Sequence, residues 1–92
     1  MTKVDLTGAD LRGCELKGAN LTEANLSDTD LSEVTLTGAT LIGADLTGAN
    51  LSKTDFRGTD LFCAKLNGAN LQKSVLSETD LQKALVASAI LV

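Results

Sequence analysis

The sequence contains no histidine, tryptophan, tyrosine or proline, and these absences remove several classes of chemistry. Histidine is the commonest general base near neutral pH and the commonest nitrogen ligand for metal ions. Aromatic rings are the platforms on which nucleic acid bases stack, and Phe56 and Phe62 are the only two in the chain. We therefore expect no enzymatic activity, no metal or other cofactor, and no direct binding of nucleic acid.

Long apolar runs and paired cysteines are also missing. No apolar stretch approaches the length of a membrane span, and the first residues enter the main sequence pattern without the apolar region of a signal peptide. Two cysteines, Cys14 and Cys63, are too few for a disulfide framework and lack the close spacing of a zinc site. The sequence therefore predicts no membrane association and a reducing, cytoplasmic location.

A strict period of five dominates what is present. Leucine occupies every fifth position from Leu6 to Leu81, and Phe56 is the only substitution among these sixteen sites. An α-helix rotates by about 140° over five residues, and a straight strand sends successive leucines to opposite faces, so neither element buries them together. The leucines share one interior only if the chain turns after each pentad and winds around an axis.

The repeat accounts for practically the whole chain. Its frame continues in weaker form through Val86 and Leu91, and no linker or insertion interrupts it. We predict one domain over 1–92, with regular repeats over 4–83 and degenerate repeats or a cap over 84–92.

The other positions of the pentad support the same path. The residue two positions before each leucine is small or β-branched, as in Ala19 and Val34, and shares the inward face because alternate residues of an extended segment lie on one side. The residue directly before the leucine is usually Asp or Asn and is expected to face solvent. Glycine occurs only at the second position after the leucine, which marks a corner whose dihedral angles or crowding disfavour a Cβ.

Segments such as 19–23 (ANLTE) and 44–48 (ADLTG) closely resemble the A(D/N)LXX repeats of the pentapeptide-repeat family. The resemblance implies an all-β fold, a right-handed quadrilateral parallel β-helix of about four coils with four pentapeptides each. The period alone fits a three-sided coil almost as well. Known members include quinolone-resistance proteins that mimic DNA and bind gyrase, and many bacterial, especially cyanobacterial, proteins of obscure activity, so family membership specifies the fold better than the function.

The distribution of charge separates two hypotheses for function. The net charge of −4 divides among the four expected sides as −2, 0, −1 and −2, with Lys3 outside them, so no side is a strong acidic stripe. A DNA duplex of the same length carries about 12 phosphate charges. We therefore expect a non-enzymatic structural or protein-interaction module that presents a rigid surface to an unidentified protein partner. The alternative is a DNA-mimicking inhibitor or protector of a type II topoisomerase such as gyrase.

One apolar feature is expected on the outer surface. Ile42 and Phe62 occupy the same outward position one coil apart, and Cys63 follows Phe62. The pair is either a contact between coils that stiffens the sheet or a candidate patch for docking a partner. Cys14, by contrast, is expected to face inward as a small core residue, about 10 Å from Cys63 along the axis and beyond the reach of a disulfide.

The end of the chain is the second candidate surface. A β-helix that stops leaves unpaired backbone groups and an open apolar interior, and repeat proteins normally cover such ends with a polar cap. This chain instead ends in apolar residues, and the candidate dimer or cap surface comprises Leu85, Val86, Ile90, Leu91 and Val92. We favour a two-fold homodimer through this end, while an intramolecular plug and a surface normally covered by further chain are the alternatives.

Overall fold

The computed structural model of the protein describes residues 5–76 and residue 84. Within 5–76 the backbone pairs through isolated parallel bridges, and each bridge joins residues twenty positions apart, from Asp5–Asn25 to Asp55–Val75. One coil therefore takes up four pentapeptides, which excludes the three-sided alternative. No strand longer than a single bridged residue and no helix is present between residues 5 and 76, because the chain turns after every bridged residue.

A β-turn forms each corner of the coil. The carbonyl of the inward leucine accepts a hydrogen bond from the N–H three residues later, as between Leu41 and Ala44 at 3.0 Å. The third residue of the turn has φ between 57° and 73°, a left-handed conformation that favours glycine. A Cβ at Gly8 would meet no atom within 4 Å, so the backbone angle and not crowding explains a glycine there, whereas a Cβ at Gly48 would also meet Oδ1 of Asp28. Six other residues of the described chain adopt the same left-handed angle: Glu23, Asp28, Glu33, Lys53, Cys63 and Lys73.

In the pentad 44–48 every backbone N–H group has a hydrogen-bond acceptor. Ala44 closes the preceding turn, Asp45 donates to the preceding coil at 2.9 Å, and Leu46 and Gly48 donate to the following coil at 2.7 and 2.9 Å. The fifth N–H, that of Thr47, donates to Oδ1 of Asp45 at 3.0 Å. The Asp or Asn before the leucine thus serves as an acceptor for the turn as well as facing solvent.

The interior is a ladder of aliphatic side chains. From Leu21 to Leu71 the residues of the leucine row are at most 2% exposed, and Phe56 fits the same row at 0%. The small row is buried beside it, which confirms that both rows point inward. Three buried threonines of this row, Thr29, Thr54 and Thr59, donate their hydroxyls to backbone carbonyls of the leucine row at 2.6, 2.9 and 2.6 Å. These hydroxyls are therefore hydrogen-bonded although they are buried.

The two cysteines lie where the sequence predicts. Cys14 is half-buried against the hydrophobic core, Cys63 is an exposed corner residue, and both are free thiols. The predicted dimer or cap surface, Leu85, Val86, Ile90, Leu91 and Val92, falls outside the described residues. It stays a prediction.

Candidate interaction surface

One side of the coil carries an ordered sequence of charges. We call it the bipolar side; it is formed by 9–13, 29–33, 49–53 and 69–73. Its charges sum to zero, as the sequence predicts, but the residues stack in register and so the signs are segregated along the axis. The acidic half contains Asp10, Arg12, Asp30 and Glu33 in axial order. The basic half follows it along the axis and contains Lys53 and Lys73.

The acidic half is held by an ion-pair cluster. Nη2 of Arg12 lies 2.8 Å from Oδ2 of Asp10, and its Nε lies 3.7 Å from Oδ2 of Asp30. The hydrogen bonds from the Arg12 side chain lower the pKa of Asp10, and the same contact raises the pKa of Arg12. One arginine thus faces two carboxylates. The cluster retains one negative charge, to which Glu33 adds a second.

A ladder of left-handed corner residues runs along the edge of this side. Gly13, Glu33, Lys53 and Lys73 follow one another at intervals of twenty residues, and all four are exposed. The backbone fixes the ladder, because Glu33 N donates to the carbonyl of Ser52 at 3.0 Å and Lys53 N donates to the next coil at the same distance. Within 5–76, no ion pair engages Glu33 or either lysine.

Two open grooves lie on the bipolar side. One, of about 410 Å³, is lined by Ser52, Lys53, Asn70, Gln72 and Lys73. The other, of about 450 Å³, is lined by Asp10, Arg12, Gly13 and Glu33. Among the residues that the structure describes, the first groove therefore has only cationic and neutral polar side chains in its lining, and the second has a net negative lining.

The neighbouring side carries an ion pair between Arg57 and Asp55. Nη2 of Arg57 lies 2.7 Å from Oδ2 of Asp55, and hydrogen bonds from the Arg57 side chain and backbone lower the pKa of Asp55 to about 2. A carboxylate held in this way stays ionised at neutral pH and is unsuited to act as a general acid. In the described part of the chain, no group of three or more Cys, Asp or Glu residues is arranged to hold a metal ion.

The predicted apolar patch is only partly accessible. Ile42 and Phe62 occupy neighbouring coils in the same register, as shown by the hydrogen bond from Gly43 N to the Phe62 carbonyl at 2.9 Å. Both side chains are half-buried, whereas Cys63 is exposed. The structure therefore brings the three residues together and leaves Ile42 and Phe62 partly exposed there.

Sequence reasoning missed Val75. At 45% exposure it is the only exposed large hydrophobic side chain among the described residues. Val75 takes the outward bridge position opposite Asp55, where most pentads carry Asp or Asn. An apolar residue in that row is the signal that would have identified it.

Comparison with known proteins agrees with this architecture. The family of Pentapeptide repeats matches residues 1–38, 24–62 and 64–91, with eight copies. The chain belongs to this family, whose members are generally non-enzymatic structural modules. No curated protein sequence gives a significant match. Between residues 5 and 76, and at residue 84, there is no helix long and apolar enough to cross a membrane.

Three solved structures are similar over nearly the whole chain. Rfr23, a pentapeptide repeat protein of the cyanobacterium Cyanothece 51142, is 37% identical with a TM-score of 0.96; the match covers 98% of this chain and 62% of Rfr23. HetL, involved in heterocyst differentiation regulation in the cyanobacterium Nostoc sp. strain PCC 7120, is 31% identical with a TM-score of 0.52 and coverages of 97% and 58%. A protein of the Arabidopsis thaliana thylakoid lumen shares the fold at 24% identity, with a TM-score of 0.69 and coverages of 95% and 64%. This chain thus spans less than two thirds of each relative.

Proposed function

We propose that this chain is a non-enzymatic interaction module that presents the sides of a rigid β-helix to a protein partner. The observation that carries the proposal is the register of the surface. Bridges between residues twenty apart fix the outward side chains in straight ladders, so each side is a preformed pattern of charge and shape. A right-handed coil, about four coils in the whole chain, and a cytoplasmic location in a bacterium are parts of the same proposal.

The relatives support a binding role. HetL is 31% identical over 97% of this chain, and its role is in regulation of differentiation. A regulator built from such repeats is expected to act by contacting other macromolecules. The rival hypothesis, mimicry of DNA to inhibit or protect gyrase, receives less support because Lys53 and Lys73 make one half of the bipolar side cationic.

Capture of partners from a lysate with immobilised protein tests the proposal. We expect a partner protein that the immobilised parent captures. A variant altered on one side, with an unchanged melting temperature, should no longer capture it. The patch of Ile42, Phe62 and Cys63 is one proposed contact, tested by replacing Ile42 and Phe62 with serine. Absence of any side-dependent capture would contradict the module. Titration of this protein into a gyrase supercoiling assay tests the DNA-mimicry hypothesis, which requires inhibition of gyrase at a stoichiometric amount of the protein.

Homodimerisation through the C-terminal residues remains part of the proposal. Light scattering over a dilution series is expected to show a dimer that dissociates when Leu85, Ile90 and Val92 are changed to serine. A monomer mass at every concentration, unaffected by those changes, would contradict the dimer and favour an intramolecular plug.

A further inference from the structure

The net charge of the bipolar side is zero, but its separated basic and acidic halves favour particular ligands. Its basic half is a groove of about 410 Å³ whose lining, among the described residues, includes two lysines and no carboxylate, on a protein of net charge −4. Its acidic half begins one coil away at Glu33, roughly 5 Å along the axis at the spacing of paired strands. The charge therefore changes sign over one coil.

The groove offers hydrogen-bond donors as well as charge. Asn70 accepts from Gln72 N through Oδ1 at 3.0 Å, which leaves its Nδ2 group as a donor. Ser52 N is satisfied by Oδ1 of Asn50 at 3.1 Å. Each lysine supplies three donors and no acceptor, and neither has an ion-pair partner within residues 5–76. The arrangement suits carboxylate oxygens.

The reversal of charge limits the length and the kind of ligand. A nucleic acid strand is a continuous polyanion, and a strand lying along this side would pass from Lys53 onto Glu33 and the carboxylates beyond it. Like charges in contact oppose that binding. A short segment with acidic side chains at one end and basic ones at the other satisfies both halves.

A second copy of this chain, placed antiparallel, would also match the charges. The side is about 20 Å long at four coils of paired-strand spacing and only one pentapeptide wide, so it buries much less than the roughly 800 Å² per partner of a stable interface. The area suits a peptide segment and not a dimer.

We propose that the bipolar side binds a short, charge-segregated segment of the protein partner, whose acidic side chains occupy the groove between Lys53 and Lys73 and whose basic side chains face Glu33. The inference rests on the proposed interaction function and deepens it by specifying the partner's chemistry.

Fluorescence anisotropy with labelled synthetic peptides tests this assignment at an ionic strength of about 0.15 M, where the Debye length is about 8 Å. The first probe is an eight-residue peptide with glutamates at one end and lysines at the other, separated by serine. The second has the same composition with alternating signs, and the third carries glutamates alone. We expect the segregated peptide to bind about tenfold more tightly than the alternating one, which corresponds to one good charge-complementary contact.

Two double variants separate position from net charge. Lys53→Gln with Lys73→Gln, and Lys17→Gln with Lys65→Gln, each remove two exposed lysines and bring the net charge to −6. We expect the first to weaken binding of the segregated peptide by about tenfold and the second by less than about twofold, because exposed charges farther than a Debye length are screened. Equal loss in both would overturn the proposal.

Glu33→Gln provides a test in which the sign of the effect depends on the probe. The substitution should weaken binding of the segregated peptide and strengthen binding of the all-acidic peptide, each by about two- to threefold at the strength of an exposed charge contact. A change in the same direction with both peptides would overturn the bipolar arrangement.

Competition by inorganic phosphate or oligothymidylate as effective as that by the peptide would show a general anion site and overturn the peptide assignment. Loss of peptide binding while side-dependent capture persists would refute this inference alone and leave the interaction module in place.

Discussion

The cost of deleting a leucine should depend on its place in the stack. Leu41 is 0% exposed in the middle of the ladder, whereas Leu6, which takes the same position of its pentad in the first described coil, is only half-buried. Leu41→Ala removes fully buried atoms and leaves a cavity that the coils above and below cannot close. Such substitutions cost about 2–5 kcal/mol of unfolding free energy. For Leu6→Ala we expect less than about half of that, since part of its surface is already in water.

These magnitudes are large against the stability of the whole chain. A protein of 92 residues has an unfolding free energy of about 5–14 kcal/mol. Urea denaturation followed by circular dichroism measures both variants, and comparison is valid where the m-values match that of the parent. Equal losses for Leu41→Ala and Leu6→Ala, or a loss below about 1 kcal/mol for Leu41→Ala, would refute the assignment of the leucine row to a packed interior.

Three further outcomes follow from the turns. Asp45→Ala should lower stability by about 1 kcal/mol by removing the acceptor of Thr47 N, whereas Asp45→Asn, which keeps an Oδ1, should be nearly neutral in the same urea experiment. Asp55 has a pKa lowered from 3.8 to about 2, so its stabilisation is complete above pH 4 and is lost as pH falls toward 2; Asp55→Asn should flatten the pH dependence of the melting temperature in that window. Lys53→Gly should raise stability by up to about 1 kcal/mol by relieving its left-handed φ of 57°, while Lys17→Gly, at a position without positive φ, should lower it. A loss on Lys53→Gly as large as that on Lys17→Gly would contradict the strain argument.

The period of five was sufficient to predict the interior. The leucine row and the small row must face the interior, and the glycine row must take a left-handed corner. Burial in the central coils and the positive φ angles agree with these requirements in the described residues. The period did not distinguish three sides from four, because inward leucines are compatible with either; the bridges between residues twenty apart decide it. The Asp and Asn row was predicted to face solvent, and its second role as an acceptor for the turn was missed, although Asx turns are a known property of these residues.

The surface was predicted less completely. Summing charge by side gave zero for the bipolar side and concealed the separation of Glu33 from Lys53 and Lys73, because a sum discards axial order. Ile42 and Phe62 were expected either to stiffen the sheet as a contact between coils or to form a docking patch, and their half-buried state depends on neighbouring side chains that a repeat pattern does not specify. Val75 is an apolar residue that is exposed because it occupies the outward bridge position of its pentad.

All these placements depend on a coil of twenty residues, and disulfide formation tests that period most directly. In a background of Cys14→Ala and Cys63→Ser, Thr40→Cys can be paired with Asp60→Cys, twenty residues away, or with Asp55→Cys, fifteen residues away. Bridged residues have Cα atoms about 4.8 Å apart, within disulfide range, whereas residues on adjacent sides of a four-sided coil exceed the limit of roughly 7 Å. After mild oxidation, thiol counting by alkylation and mass spectrometry should show a closed disulfide in the variant that combines Thr40→Cys with Asp60→Cys, and free thiols in the other variant. Closure of the fifteen-residue pair and not of the twenty-residue pair would contradict the account.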